Sequence, residues 1–317
     1  MMDPQVEALL QMMAAQAATG NAPAMWEQPA AEARAGAEVN FEAFNQPMPA
    51  TVTVTDRTIP GPAGEIPIKV FTPQGTGPFP MLVFLHGGGW VIGSPNTHRK
   101  LCAEFAEGAG VVVVSVHYRL APEHPAPAAL EDCVAAIQWA AGHAGELNAD
   151  GSNFAIGGDS AGGNLTMASA MWLRDHGGPR ANLLLLIYGA YDMAFDKPSH
   201  KANGEGYILT IQAMDWFKDH YLSGGADPTD PYISPLLGDV SNLPPAHLIV
   251  GTLDPLLDDS RLMAQKLKAA GVPATLSEYQ DMPHVFLQLS AMLDGGKKGV
   301  AEAISALTAA LHPTPVG

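Results

Sequence analysis

Two uninterrupted apolar runs, MLVFLH (81–86) and VVVVSVHY (111–118), flank the helix-like segment THRKLCAEFAEGAG, which ends in glycine. A strand with one wet face alternates apolar and polar residues. A run with no such alternation has to be covered on both faces, the situation of a parallel strand between helical layers. The rhythm continues down the chain. A helix is expected from Ala128 to about Ala141, a strand over 153–158, and a helix from about Ala161 to His176. Strands follow at 183–189 and 247–251, then a helix from Pro255 to Ala270, a strand near ATLSEY, and a last helix from about Lys297 to Leu311. Strand and helix taking turns predict an α/β fold, a mostly parallel central sheet flanked by helices. Ahead of it, TVTVTDRTI (51–59) alternates as a half-buried strand and IPIKVFTP (66–73) reads as its hairpin partner across GPAG.

Two segments do not fit the rhythm. Residues 1–48 are rich in Ala and Met, and Val6, Leu9, Leu10 and Met13 carry the i, i+3, i+4, i+7 spacing of an amphipathic helix, either packed on the domain or part of a mobile lid. Residues of about 192–235 are too long for an ordinary connection and rich in Trp, Phe, Tyr and Met, which suits a wall over an apolar pocket.

HGGGW (86–90) follows the first apolar run directly. Three glycines lose more backbone entropy on folding than alanines would and bury no side chain, so something must approach that backbone closely. GGDSAGGN (157–164) lies between the strand FAIG and the next helix, and Gly158, Ser160 and Gly162 form G-x-S-x-G. At a strand–helix junction this is a nucleophile elbow: a serine on a sharp turn, its hydroxyl pushed out of the sheet. The two motifs explain each other. Acyl transfer passes through an oxyanion that backbone N–H groups can stabilise if the main chain comes close enough. The expected donors are Gly87, Gly88 and Ala161. Gly89, Trp90 and Asp159 are assigned to the substrate-binding wall. Trp90 either lines the pocket or staples the loop, and Asp159 orders neighbouring loops rather than reacting.

A serine nucleophile needs a base, and the base an orienting carboxylate. Of eleven histidines, His284 in QDMPHVF lies in the loop after the last predicted strand, and Asp254 in GTLDPLLDD lies just past the strand HLIV. Ser160, Asp254 and His284 all follow strands, so a parallel sheet gathers them at one edge. Asp258 and Asp259 suit the first turn of the following helix, where acids complement its dipole. Asp281 is the weaker rival for the carboxylate. His86 is read as a support of the glycine loop, and His117, Tyr118 and Arg119 as pins for LAPEHPAPAA. Cys102 and Cys133 are read as buried small apolar groups, without a disulfide framework.

HGGGW, HYRLAPEHPAP (117–127), GDSAGGN, GTLDPLLDD and PHVF, in that order, resemble the hormone-sensitive-lipase-like (bacterial family IV) α/β-hydrolase carboxylesterases over about residues 50–315. The resemblance implies an α/β-hydrolase fold with a helical cap. The cap would be residues 1–48 plus an insertion at about 192–235, and residues 49–317 the catalytic domain. It further implies hydrolysis of esters of short to medium acids, with the triad on Ser160, Asp254 and His284 and the oxyanion donors on Gly87, Gly88 and Ala161. DPLLDDS departs from the family's DPLRDE, which leaves a dimer or salt-bridge role for that segment open. Homodimerisation is compatible with the resemblance and not decided by it.

The expected activity is that of a serine carboxylesterase with a small-molecule ester substrate, no cofactor and no metal. A lactone or other specialised ester is an alternative substrate. Ligand-binding receptors on the same fold have lost the base, whereas His284 is present here. A trypsin-like peptidase, prompted by GDSAGG, would put His and Asp before the serine on an all-β fold. A net charge of −16, with 32 acids against 16 bases, argues against nucleic acid and anionic lipid as partners. The N-terminal stretch has no basic n-region and no apolar run of about 18 residues occurs, so a cytoplasmic protein without membrane insertion is expected.

Overall fold

A computed structural model describes residues 2–19 and 23–312. Met1, residues 20–22 and residues 313–317, which the expected domain boundaries include, lie outside the described residues. Eight strands form one sheet: β1 (Thr53–Gly61), β2 (Gly64–Thr72), β3 (Phe79–Leu85), β4 (Val112–Val116), β5 (Ala149–Asp159), β6 (Leu183–Ile187), β7 (Ala246–Leu253) and β8 (Ala274–Pro283). Their order is β1-β2-β4-β3-β5-β6-β7-β8. The β1–β2 hairpin and the β2–β4 pair are antiparallel, and all other pairs are parallel. The helices are α1 (Pro4–Ala18), α2 (Ala30–Glu42), α3 (Arg99–Ala109), α4 (Ala128–Gly142), α5 (Ala161–Asp175), α6 (Pro198–Asn203), α7 (Ile211–Tyr221), α8 (Leu257–Ala269) and α9 (Asp294–Leu311).

The apolar runs do what their lack of alternation requires. Along β3, Met81, Val83 and Leu85 point to one core with α4, α5 and most of α8. Leu82 and Phe84 point to a second core with α3, α9 and the buried Val6 and Leu9 of α1. The period of two thus divides one apolar strand between two helical layers. The α1 stripe is shorter than its spacing predicts, since Met13 is exposed. Helix α3 stops where the sequence supplies glycine: Gly110 is left-handed at φ 63°, and its N–H donates to the Ala106 carbonyl. Cys102 and Cys133 are buried and unpaired.

A third, smaller cluster joins segments distant in sequence. Ala30, Ala33 and Ala37 of α2 pack with Val91, Ile92 and Ala121 and with Ala213 and Phe217 of α7. Arg34 fastens α2 to the loop after β3, donating from Nε to the Val91 carbonyl at 2.7 Å and from Nη2 to the Ala121 carbonyl at 2.8 Å, and it pairs with Glu123. Helix α6, which the sequence reading did not anticipate, grips the loop after β7. Asn203 Nδ2 donates to the Asp254 carbonyl at 3.0 Å, the Ser199 N–H donates to Asp258 at 2.9 Å, and His200 pairs with Asp259 at 2.9 Å. The two acids do stand in the first turn of α8. Their partners lie within the chain, which gives DPLLDDS an internal polar role.

Candidate active site

The parallel strands deliver their C-terminal loops to one place. Between β5 and α5, Ser160 has φ 56° and ψ −119°, a region that costs a non-glycine residue roughly 1–3 kcal/mol and persists where the surroundings enforce it. The flanking glycines are steric necessities. A Cβ on Gly158 would lie 2.4 Å from the Gly162 carbonyl oxygen, and one on Gly162 would lie 1.8 Å from that of Leu85. The Ser160 N–H donates to the Ile187 carbonyl at 2.9 Å and pins the turn to β6.

Asp254 is fully buried and His284 is 4% exposed. His284 Nδ1 lies 2.7 Å from Asp254 Oδ2, and Nε2 lies 2.9 Å from Ser160 Oγ. Facing a carboxylate, Nδ1 carries the hydrogen, which leaves Nε2 to accept from the serine hydroxyl. The other Asp254 oxygen accepts the Leu256 N–H at 2.8 Å, so the carboxylate is fixed from both sides. The edge of Tyr188 packs against the His284 ring. Asp281 makes no bond to His284; its carboxylate is held by Gln280.

The glycine loop corrects one expected role. The Gly87 N–H donates to Asp159 Oδ1 at 2.8 Å, so it is engaged and cannot serve a substrate oxygen. Among the described residues, the N–H groups of Gly88, Gly89 and Ala161 have no protein acceptor. Gly89, expected in the wall, therefore takes the place of Gly87 among the three free donors. The reason for three glycines also differs from the expected one. A Cβ on Gly87 would meet Asp159 Oδ2 at 2.6 Å, one on Gly88 the Ile92 carbonyl oxygen at 2.2 Å, and one on Gly89 the Phe217 ring at 2.1 Å. The protein itself crowds this backbone.

Trp90 fills both roles considered for it: it lines the cavity beside Ser160 and stacks on Tyr221 at 4.5 Å. Asp159 is buried under the loop and is among the residues that line the cavity. His86 donates from Nδ1 to the Gly87 carbonyl at 2.8 Å and stacks on Tyr118, whose hydroxyl donates to the His86 carbonyl at 2.6 Å. Arg119 ties the next segment to α4 through Asp132 at 2.9 Å.

Ser160, His284 and the free N–H groups open on a cavity of about 220 Å³. Met25 and Phe41 enter it from the N-terminal segment, and Phe195, Leu209, Met214 and Phe217 from the 192–235 segment. Among the described residues no Lys or Arg lines it. Sequence reasoning gave the aromatic wall as a segment and named none of these six, because depth in a cavity leaves no mark on spacing. Among the described residues no group of three or more His, Cys, Asp or Glu could hold a metal ion, and no helix is long and apolar enough to cross a membrane.

A family model described as alpha/beta hydrolase fold matches residues 82–288, from β3 to the loop after His284. The chain belongs to the α/β-hydrolase family. Within it the hormone-sensitive-lipase-like resemblance holds, and the protein is a hydrolase. It is 45% identical to the carboxylic ester hydrolase LipN of Mycobacterium tuberculosis over 82% of this chain and 71% of that one. It is 33% identical to an ethyl acetate hydrolase of Pseudomonas putida over 96% and 98%. An ester hydrolase from the metagenome of Lake Arreo, solved with a bipyridine phosphonate derivative, superposes with a TM-score of 0.94 at 36% identity, covering 98% of this chain and 99% of that one.

Burial of this hydrolase's His86 sets a pH dependence. Burial first, then the neighbouring His98 and His117, hold its pKa well below the ordinary 6.5. Folded His86 stays neutral where the unfolded chain takes up a proton. Stability is therefore complete above the unfolded value and falls as pH drops below it, by up to about 1.4 kcal/mol per pH unit for one proton. His117 is shifted the same way by burial. Urea unfolding between pH 7 and 5.5 is expected to show this loss, and His86→Asn to remove one proton's worth of slope. An unchanged slope in the variant would contradict the assignment.

Proposed function

We propose that this hydrolase is a carboxylesterase that cleaves esters of short- to medium-chain acids through an acyl-enzyme on Ser160. The observation that carries the reading is the unbroken Asp254–His284–Ser160 hydrogen-bonded chain, 2.7 and 2.9 Å, beside three unpartnered N–H groups in an apolar cavity. In this reading His284 Nε2 takes the hydroxyl proton as Ser160 Oγ attacks the ester carbonyl carbon. The substrate oxygen, now negative, is held by the N–H groups of Gly88, Gly89 and Ala161. His284 returns the proton to the leaving alkoxide, and the C–O bond to the alcohol breaks. A water molecule gives a proton to His284 and attacks the acyl carbon. The proton passes to Ser160 Oγ as the acid leaves. Asp254 stabilises the imidazolium formed in each half. The scheme needs no cofactor. The names of the relatives, ester hydrolases and esterases, support the substrate class.

Residues 1–48 and about 192–235 are proposed as one cap over a catalytic domain of 49–317. The support is their joint contribution to the cavity and the packing of α2 on α7.

Cavity size bears on chain length. A volume of 220 Å³ equals about seven waters at roughly 30 Å³ each, room for a short chain. Each methylene buried there contributes about 0.8 kcal/mol until the space is full. On p-nitrophenyl esters from acetate to palmitate, kcat/KM is expected to rise to butyrate or octanoate. It should then fall at least about tenfold by palmitate, where overpacking opposes binding. A maximum at palmitate would refute the short-chain reading. Hydrolysis of none of these esters by folded protein would refute the carboxylesterase reading.

A further inference from the structure

A second His–Asp pair lies buried behind the glycine loop, and the reaction scheme above leaves it unused. Asp159 is 1% exposed, and His98, just ahead of α3, is 3% exposed. Asp159 Oδ1 accepts the Gly87 N–H, and His98 Nε2 lies 3.1 Å from Oδ1 and 3.3 Å from Oδ2. Gln288, on the same loop as His284, brings its Nε2 to 3.3 Å from Oδ2. It also abuts His98 Nε2, and its own Oε1 has no other partner. One carboxylate thus joins the loop of the free N–H groups, the nucleophile's neighbour and the loop of the base.

His98 is held on its other edge: Nδ1 lies 2.8 Å from Thr97 Oγ and 3.3 Å from the Ser94 carbonyl, and Thr97 Oγ donates to that same carbonyl at 2.8 Å. The other close neighbours of His98 are the rings of Phe41, Phe84 and His86. Among the described residues His98 is the one basic side chain within ion-pair distance of Asp159.

We infer that His98 is a positioning residue of the esterase reaction: its ring, 3.1 Å from Asp159, is the partner that lets this buried carboxylate hold Gly87, and with it the Gly88 and Gly89 N–H groups, without opposing the negative charge that develops on the substrate oxygen. The inference rests on the Ser160 esterase reading. Without His98, a buried and unpaired carboxylate would stand beside the oxyanion, where charges interact strongly because water is excluded.

The test compares kcat and KM on p-nitrophenyl butyrate for wild type, Ser160→Ala, His98→Ala, Asp159→Asn and the double variant His98→Ala/Asp159→Asn. His98→Ala is expected to lower kcat roughly 30-fold with KM within about twofold, the pattern of an interaction made in the transition state. The double variant is expected to recover at least about fivefold over His98→Ala, because asparagine still accepts the Gly87 N–H and carries no charge. A merely structural role would make the double variant equal to or worse than the single one. If His98→Ala does not fold, His98→Gln carries the same expectation. A kcat within twofold of wild type in the His98 variant, or no rescue in the double variant, overturns the inference alone. An inactive wild type, or an active Ser160→Ala, overturns the esterase reading and the inference with it.

Discussion

Ser160→Ala is expected to lower kcat/KM on p-nitrophenyl butyrate by roughly 10⁴- to 10⁶-fold, the loss that follows removal of a nucleophile from a Ser–His–Asp unit. The residual rate would come from the cavity and the free N–H groups acting on water alone. Folding should be unaffected. Alanine meets the same backbone demand at φ 56° that serine does, and among the described residues the hydroxyl bonds to His284. The thermal midpoint should therefore stay within a few degrees of wild type. A p-nitrophenyl phosphonate should phosphonylate Ser160 in wild type, with p-nitrophenol released and the protein's mass raised by the remainder, and leave the variant unlabelled. Retention of more than about a hundredth of the wild-type rate would mean that another group carries the chemistry, because activation by His284 has no substitute within reach.

What the sequence made legible was whatever lies at a strand end inside a short motif. G-x-S-x-G at a strand–helix junction places its serine by steric demand, and the structure gives that demand a measure in the 1.8 Å that a Cβ on Gly162 would leave to Leu85. Asp254 and His284 could be chosen because parallel strands bring successive C-terminal loops to one edge, and the structure puts both within hydrogen-bonding distance of the chain they were chosen for. In the glycine loop the free N–H groups fall one residue later than expected. Nothing in HGGGW says which way each N–H points. That Gly87 is engaged depends on Asp159, 72 residues away. His98 and Gln288 were invisible for the same reason: neither sits in a motif, and their partnership with Asp159 exists only once three loops meet. The cavity wall was legible as a composition, aromatic and Met-rich, and its individual members were not.

Gly88→Val is expected to lower kcat by roughly 10²- to 10³-fold, as loss of an oxyanion donor does. In the folded protein the added Cβ meets the Ile92 carbonyl oxygen first, at 2.2 Å, from a residue with φ 120° that an L side chain rarely adopts. The Gly88 carbonyl also accepts the N–H groups of Val91 and Ile92, so the clash falls inside one tight turn and cannot be relieved by a side chain moving aside. The turn itself must open, and the Gly88 and Gly89 N–H groups swing away with it. A stability loss of about 1–3 kcal/mol should accompany the kinetic one, the usual range for overpacking. Ser160, His284 and Asp254 are anchored by other strands, so the residual turnover of Gly88→Val should still depend on the nucleophile and drop further in Gly88→Val/Ser160→Ala. Equal rates in the single and double variants would show that the turn supports the nucleophile as well, and a wild-type kcat in folded Gly88→Val would remove these N–H groups from the reaction.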